Sequence, residues 1–147
     1  MVRIIKAEEL HIDELVPLFD AYRVFYKAES NKPAVHDFLL DRIQKNESVI
    51  YLAYSDNQAV GFTQLYPIFS SVSMQSMYVL NDLYVDESYR RKGIAKKLLD
   101  KAKDFARSHS LKGLSLETSK VNPAQKLYER ENWVRDDAYY HYFWTNN

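Results

Sequence analysis

The chain has 147 residues, enough for one core and too few for two independent ones. Hydrophobic residues make up 46% of it and aromatics 14%, and 20 Lys and Arg balance 20 Asp and Glu; zero net charge argues against a coat for duplex nucleic acid, which needs a positive excess. Cysteine is absent, which excludes disulfides, thiolate zinc sites and a cysteine nucleophile, and suits a reducing compartment. No apolar run approaches the ~20 residues that span a bilayer. The opening Met1-Val2-Arg3-Ile4-Ile5 alternates like a strand and lacks a signal-peptide layout. The expectation is one cytoplasmic domain over residues 1–147, with no membrane or nucleic-acid partner.

Val2 to Lys6 reads as a short strand. Leu10, Leu15, Leu18, Phe19, Tyr22, Phe25 and Tyr26 then keep one apolar helical face. Pro33 suits the first turn of a second helix, with Val35, Phe38, Leu39 and Ile43 on one side. Ser48 to Ser55 and Ala59 to about Leu65 form a hairpin across Asp56-Asn57-Gln58. A third strand runs from about Met77 to Val85. From Ile94 a strongly amphipathic helix follows, with Ile94, Leu98, Leu99, Ala102, Phe105 and Ala106 on its apolar side. Gly113 restarts a strand toward Thr118, Asn122-Pro123 opens a last helix, and Tyr139 to Trp144 has strong strand propensity. The order gives a mixed α/β domain, mainly antiparallel in its first half, with at least one β-α-β unit.

The segment Leu83-Tyr84-Val85 running into Arg90-Arg91-Lys92-Gly93-Ile94-Ala95-Lys96 carries the chemistry. A strand passes through a short basic loop straight into a helix, whose first amides are unpaired and sit at the positive end of the dipole. Gly93 and Ala95 are small enough for an anion to reach the main chain. Neither the dinucleotide-binding glycine fingerprint nor a P-loop occurs. The histidines (His11, His36, His109, His141) have no ligand spacing, so no metal is expected.

Arg90 to Ala95 resembles the Gln/Arg-x-x-Gly-x-Gly/Ala signature of the GNAT superfamily of acyl-CoA-dependent N-acetyltransferases, whose loop amides hold the coenzyme A diphosphate. Asn122-Pro123-Ala124-Gln125-Lys126-Leu127-Tyr128, followed by Asn132-Trp133, is similar to a second motif of that family. The resemblance covers essentially the whole chain. It implies a mostly antiparallel twisted sheet of about six or seven strands with about four helices and a β-α-β coenzyme-binding unit. It also implies acetyl-CoA as co-substrate, Asn122 on the pantetheine arm and Tyr128 beside the coenzyme sulfur. Leu65-Tyr66-Pro67, Leu80-Asn81-Asp82-Leu83 and the aromatic ending are similar to a bacterial subgroup related to histone- and polyamine-acetylating enzymes. Three departures stand out. Arg91 replaces a common glycine, Asn132 replaces the glycine of the last helix end, and Asn81 replaces a glutamate base.

An amine must be neutral to attack a thioester, and the departing thiolate benefits from a proton. A phenol with pKa near ~10 suits the second task, and Tyr128 is the candidate. Asp82 and Glu117 are the candidates for the base, through water, and a strand amide in Leu83 to Val85 serves the oxyanion. Tyr22, Phe25 and Tyr26 line either the core or an acceptor cleft, with Asn81 beside it. Five acids with no lysine or arginine between Glu8 and Asp20 could draw a cationic amine. The reading is an N-acetyltransferase that uses direct attack in a ternary complex and forms a homodimer through its aromatic ending. The alternative is a non-catalytic acyl-CoA-binding or protein-interaction module on the same fold.

Overall fold

A computed structural model describes residues 1–147, which form two compact units, Met1–Glu117 and Thr118–Asn147. The first holds β1 (Val2–Lys6), α1 (Ile12–Phe25), α2 (Lys32–Gln44), β2 (Val49–Ser55), β3 (Gln58–Ser70), β4 (Gln75–Val85), α3 (Ile94–Ser108) and β5 (Leu114–Ser115). The second holds α4 (Gln125–Arg130). No helix is long and apolar enough to cross a membrane.

Neighbouring strands β1 to β4 run antiparallel, and β5 joins β4 in parallel after the α3 crossover. The β2–β3 turn is tight because Asp56 and Asn57 both adopt left-handed backbone (φ 51 and 81), the geometry that matches strand twist. Buried Leu15, Phe19, Leu39, Leu52 and Phe62 fasten α1 and α2 to the sheet. The apolar face of α3 is buried through Ile94, Leu98, Leu99, Ala102 and Phe105, as its periodicity requires.

Two features of β4 set up the site. Gln64 of β3 faces Asp82 while Leu65 faces Leu80, so Asn81 is the extra residue of a β-bulge. Strand β5 meets β4 only at Tyr78 and Val79, so the C-terminal half of β4 is paired with β3 on one side and with no strand on the β5 side. At Gly61 a Cβ would lie 2.8 Å from the Tyr84 carbonyl oxygen, so only glycine lets β3 approach β4 this closely there.

The mixed α/β architecture read from the sequence is present, with five strands in place of six or seven and four α-helices. The shortfall lies late in the chain. The strand after Gly113 spans only Leu114–Ser115, and Tyr139 to Trp144 takes no regular structure. Tyr139, Tyr140, Tyr142, Phe143 and Trp144 are each more than 80% exposed, with 81% the lowest value. Strand propensity reports fitness for a pleated surface and becomes a strand only when a neighbouring strand takes up the main-chain bonds.

Candidate active site

Strand β4 ends at Val85, and the Asp86 amide donates to the Val60 carbonyl (2.7 Å). The Asp86 carboxylate accepts from the Ser88 amide (2.9 Å) and starts a short 3₁₀ turn over Glu87–Tyr89. Arg91 and Gly93 then take left-handed backbone (φ 62 and 78), and Gly93 is the N-cap of α3. This explains why glycine would suit position 91: arginine's Cβ crowds the carbonyl in that conformation. The first bond at the head of α3 runs from the Lys97 amide to the Gly93 carbonyl (3.1 Å), so the amides of Gly93, Ile94 and Ala95 lie ahead of the helix's own ladder. A Cβ on Gly93 would meet nothing within 4 Å, so the space before these amides is open. Open space, outward amides and the positive end of a 15-residue helix fit a diphosphate.

The basic side chains of the loop are only partly turned to that space. Arg90 donates through Nε to the Val85 carbonyl (2.8 Å), and its guanidinium lies over the rings of Tyr84 (5.5 Å) and Phe25 (5.7 Å). Lys92 sits over Tyr89 (5.3 Å), and Lys96 pairs with Asp100 (2.9 Å). Main-chain amides are therefore the groups here that could best receive an anion.

The bulge assembles the polar centre. Asp82 is 5% exposed. Its carboxylate accepts from Gln64 Nε2 (2.8 Å) and Asn81 Nδ2 (3.1 Å), and its carbonyl accepts from Thr63 Oγ1 (2.8 Å). Burial pushes the Asp82 carboxyl above the usual carboxylate range, against hydrogen bonds from Gln64, Tyr22 and Asn81 that stabilise the charge. Tyr22 also donates to the Asn81 carbonyl at 3.5 Å. Glu117, the other candidate base, is exposed at the end of the first unit.

The aromatic residues of α1 continue from this centre. The Tyr22 ring meets Phe62 (5.8 Å), Tyr84 (6.2 Å) and Tyr26 (5.0 Å), and Tyr26 meets Phe25 (5.2 Å). Tyr22 is half-buried core, whereas Phe25 and Tyr26 are 59% and 55% exposed. The stripe is thus core at one end and open wall at the other. The acidic run does not behave as one surface. Asp20 is buried and accepts from Ser30 Oγ (2.6 Å) and the Asn31 amide (2.7 Å), and the Ser30 bond leads in holding its carboxyl below the usual range against burial. It ties down the connection to α2. Glu14 accepts from the Tyr54 hydroxyl (2.9 Å).

In the second unit, Asn122 Oδ1 accepts from the Ala124 amide (2.9 Å) at the entry to α4. Tyr128 lies on α4 with its ring 6.2 Å from Trp133, edge to face. Asn132 ends the helix in left-handed backbone (φ 68), the conformation asparagine tolerates best after glycine. Sequence reasoning missed Gln64, the fully buried partner of Asp82. Its only mark is a polar Thr63-Gln64 pair inside an otherwise apolar strand.

Residues 15–133 match the acetyltransferase (GNAT) family. The chain is 43% identical over 129 residues to the uncharacterized N-acetyltransferase YhfO of Bacillus subtilis, covering 87% of each chain. It is 33% identical over 141 residues to a probable acetyltransferase of Haemophilus influenzae, covering 87% of this chain and 97% of that one. A crystal structure of a probable acetyltransferase superposes with a TM-score of 0.93 at 40% identity, over 99% of this chain and 98% of the other.

Proposed function

Because the chain belongs to the GNAT acetyltransferase family, whose members transfer acetyl from acetyl-CoA, we propose that it acetylates a primary amine by direct attack in a ternary complex, as one catalytic domain. The observation that carries this reading is the half-free edge of β4 leading into the open, amide-lined start of α3.

Acetyl-CoA supplies the acetyl thioester. The amides of Gly93 to Lys96 hold its diphosphate, with Arg91, Lys92, Ile94 and Ala95 shaping the loop and Arg90 bracing it on Val85. Main-chain groups of Leu83, Tyr84 and Val85 take the pantetheine arm, and one strand amide donates to the carbonyl oxygen as charge develops there. Asp82 receives the amine proton through water, and we place the base there rather than at Glu117 because burial moves the Asp82 carboxyl toward the working pH. Nitrogen bonds to the carbonyl carbon, the carbon–sulfur bond breaks, and Tyr128 protonates the thiolate. Tyr22, Phe25, Tyr26 and Asn81 wall the acceptor side. Incubation with acetyl-CoA and a panel of polyamine, aminoglycoside, amino acid and lysine peptide should release coenzyme A thiol with at least one amine. A non-catalytic acyl-CoA-binding module would release none.

Gly93→Val should weaken acetyl-CoA binding by at least ~1–3 kcal/mol, the scale of lost charge-assisted hydrogen bonds. Valine fills the space before the amides and is strained at φ 78, so thermal melting accompanies the calorimetry. Unchanged affinity in a folded variant removes the diphosphate from this loop.

The exposed aromatic ending supports a homodimer. Five large aromatic side chains over 80% exposed make an apolar surface that a solitary chain seldom keeps. Light scattering should give twice the chain mass for the full protein and a smaller particle after truncation at Asp137. A full-length monomer at all concentrations would count against it.

A further inference from the structure

Gln64 is completely buried, yet its Oε1 has no hydrogen-bond partner while Nε2 donates to Asp82 Oδ2 at 2.8 Å. A buried acceptor without a donor is costly, and native interiors rarely keep one without a reason. Leucine or methionine would fill the same volume with no orphan. The amide is distinctive in carrying a donor and an acceptor on one planar group, interchanged by rotation of its terminal bond. Its neighbour Asp82 needs both: the carboxylate takes a donor, and the carboxylic acid offers its own proton to an acceptor. The groups facing this pair are Asn81 on β4, Tyr22 on α1, Tyr66 on β3, and Arg42 of α2, whose charge reaches Tyr66. The Tyr22 and Tyr66 hydroxyls can also donate and accept, but Tyr22 is turned to the Asn81 carbonyl and Tyr66 to Gln64 itself, and Asn81 is exposed and already spends Nδ2 on Asp82 Oδ1.

We propose that Gln64 is a positioning residue with two settings, donating Nε2–H to ionised Asp82 and turning its amide so that Oε1 accepts from Asp82 once that carboxyl is protonated. The inference rests on the reading of Asp82 as proton acceptor. No bond is made or broken at Gln64; it keeps the buried carboxyl aimed and satisfied before and after the proton arrives, so the proton can be taken up and released within one turnover.

The test uses the whole unliganded protein first. With ¹⁵N and ¹³C labelling, the Gln64 side-chain amide resonance should shift with pH at the same midpoint as the Asp82 carboxyl carbon. A Gln64 amide that stays constant across the Asp82 titration overturns the proposal, and this measurement needs no variant to fold. Gln64→Met should then move the acid limb of kcat to higher pH, with acetyl-CoA and the fastest amine of the panel. Turnover should fall at least ~tenfold on the acid side, the scale of one charge-assisted bond lost, and stay near the parent on the alkaline plateau. An equal loss at every pH marks a purely structural role and overturns it. If Asp82→Asn keeps its turnover, the base reading fails, while the shared titration of Gln64 and Asp82 still decides whether the amide turns.

Discussion

Asp82→Asn should lower turnover by ~10²–10⁴-fold with acetyl-CoA affinity kept, the range for losing a positioned base. The side chain sits 5% exposed beside the β4 bulge, next to the exposed Asn81, and accepts from Gln64 and Asn81. Asparagine keeps the shape and one acceptor but cannot take a proton. The same substitution should make the fold more stable at neutral pH. Burial raises the folded-state pKa of Asp82 above its unfolded value. The native state therefore holds its proton longer than the unfolded chain does. Stability linked to that proton is complete below the unfolded value near ~3.9 and is lost as pH rises through the raised folded value. Asparagine carries no charge to bury, so its Tm gain should be present at pH 7 and vanish toward pH 3. Melting curves across pH, beside turnover at saturating amine, read both effects. A Tm gain without loss of turnover would make Asp82 a buried tie between β3 and β4.

What the sequence revealed and what it hid follow the range of the interactions. The α3 start is written locally: apolar spacing fixes the buried face, and Gly93 marks the left-handed cap. The Asp56-Asn57 turn and the Asn132 helix end are local in the same sense, since each depends on one residue's tolerance of positive φ. The polar centre is not local. Gln64 and Asp82 are 18 positions apart and meet only because the β3–β4 register slips by one residue at Asn81. A slip of that kind has no signature in either strand taken alone. Tyr22, 59 positions from Asn81, joins the same centre only once α1 lies on the sheet. Asp20 shows the opposite case: it stands in the acidic run that could draw a cationic amine, yet it is buried and bonded to Ser30 and Asn31. The aromatic ending has propensity for a strand, and propensity does not supply the neighbour that a strand requires.

Tyr128→Phe should keep the fold and acetyl-CoA affinity and slow the chemical step by ~10²–10⁴-fold. The substitution removes one hydroxyl and leaves the ring, so the edge-to-face contact with Trp133 at 6.2 Å survives, as does the bond from the Trp133 amide to the Tyr128 carbonyl (2.9 Å). The loss should appear in kcat with little change in the KM for acetyl-CoA, because the hydroxyl's contribution is made in the transition state. Phenylalanine has no proton to give the thiolate at any pH. Coenzyme A thiolate is a fair leaving group unaided, which sets the lower end of the range. The measurement is a pair of pH–rate profiles on parent and variant with one amine, under conditions where a pre-steady-state burst is absent and chemistry limits turnover. Equal turnover across the pH range would return the proton's source to water and leave the Tyr128 ring as packing against Trp133.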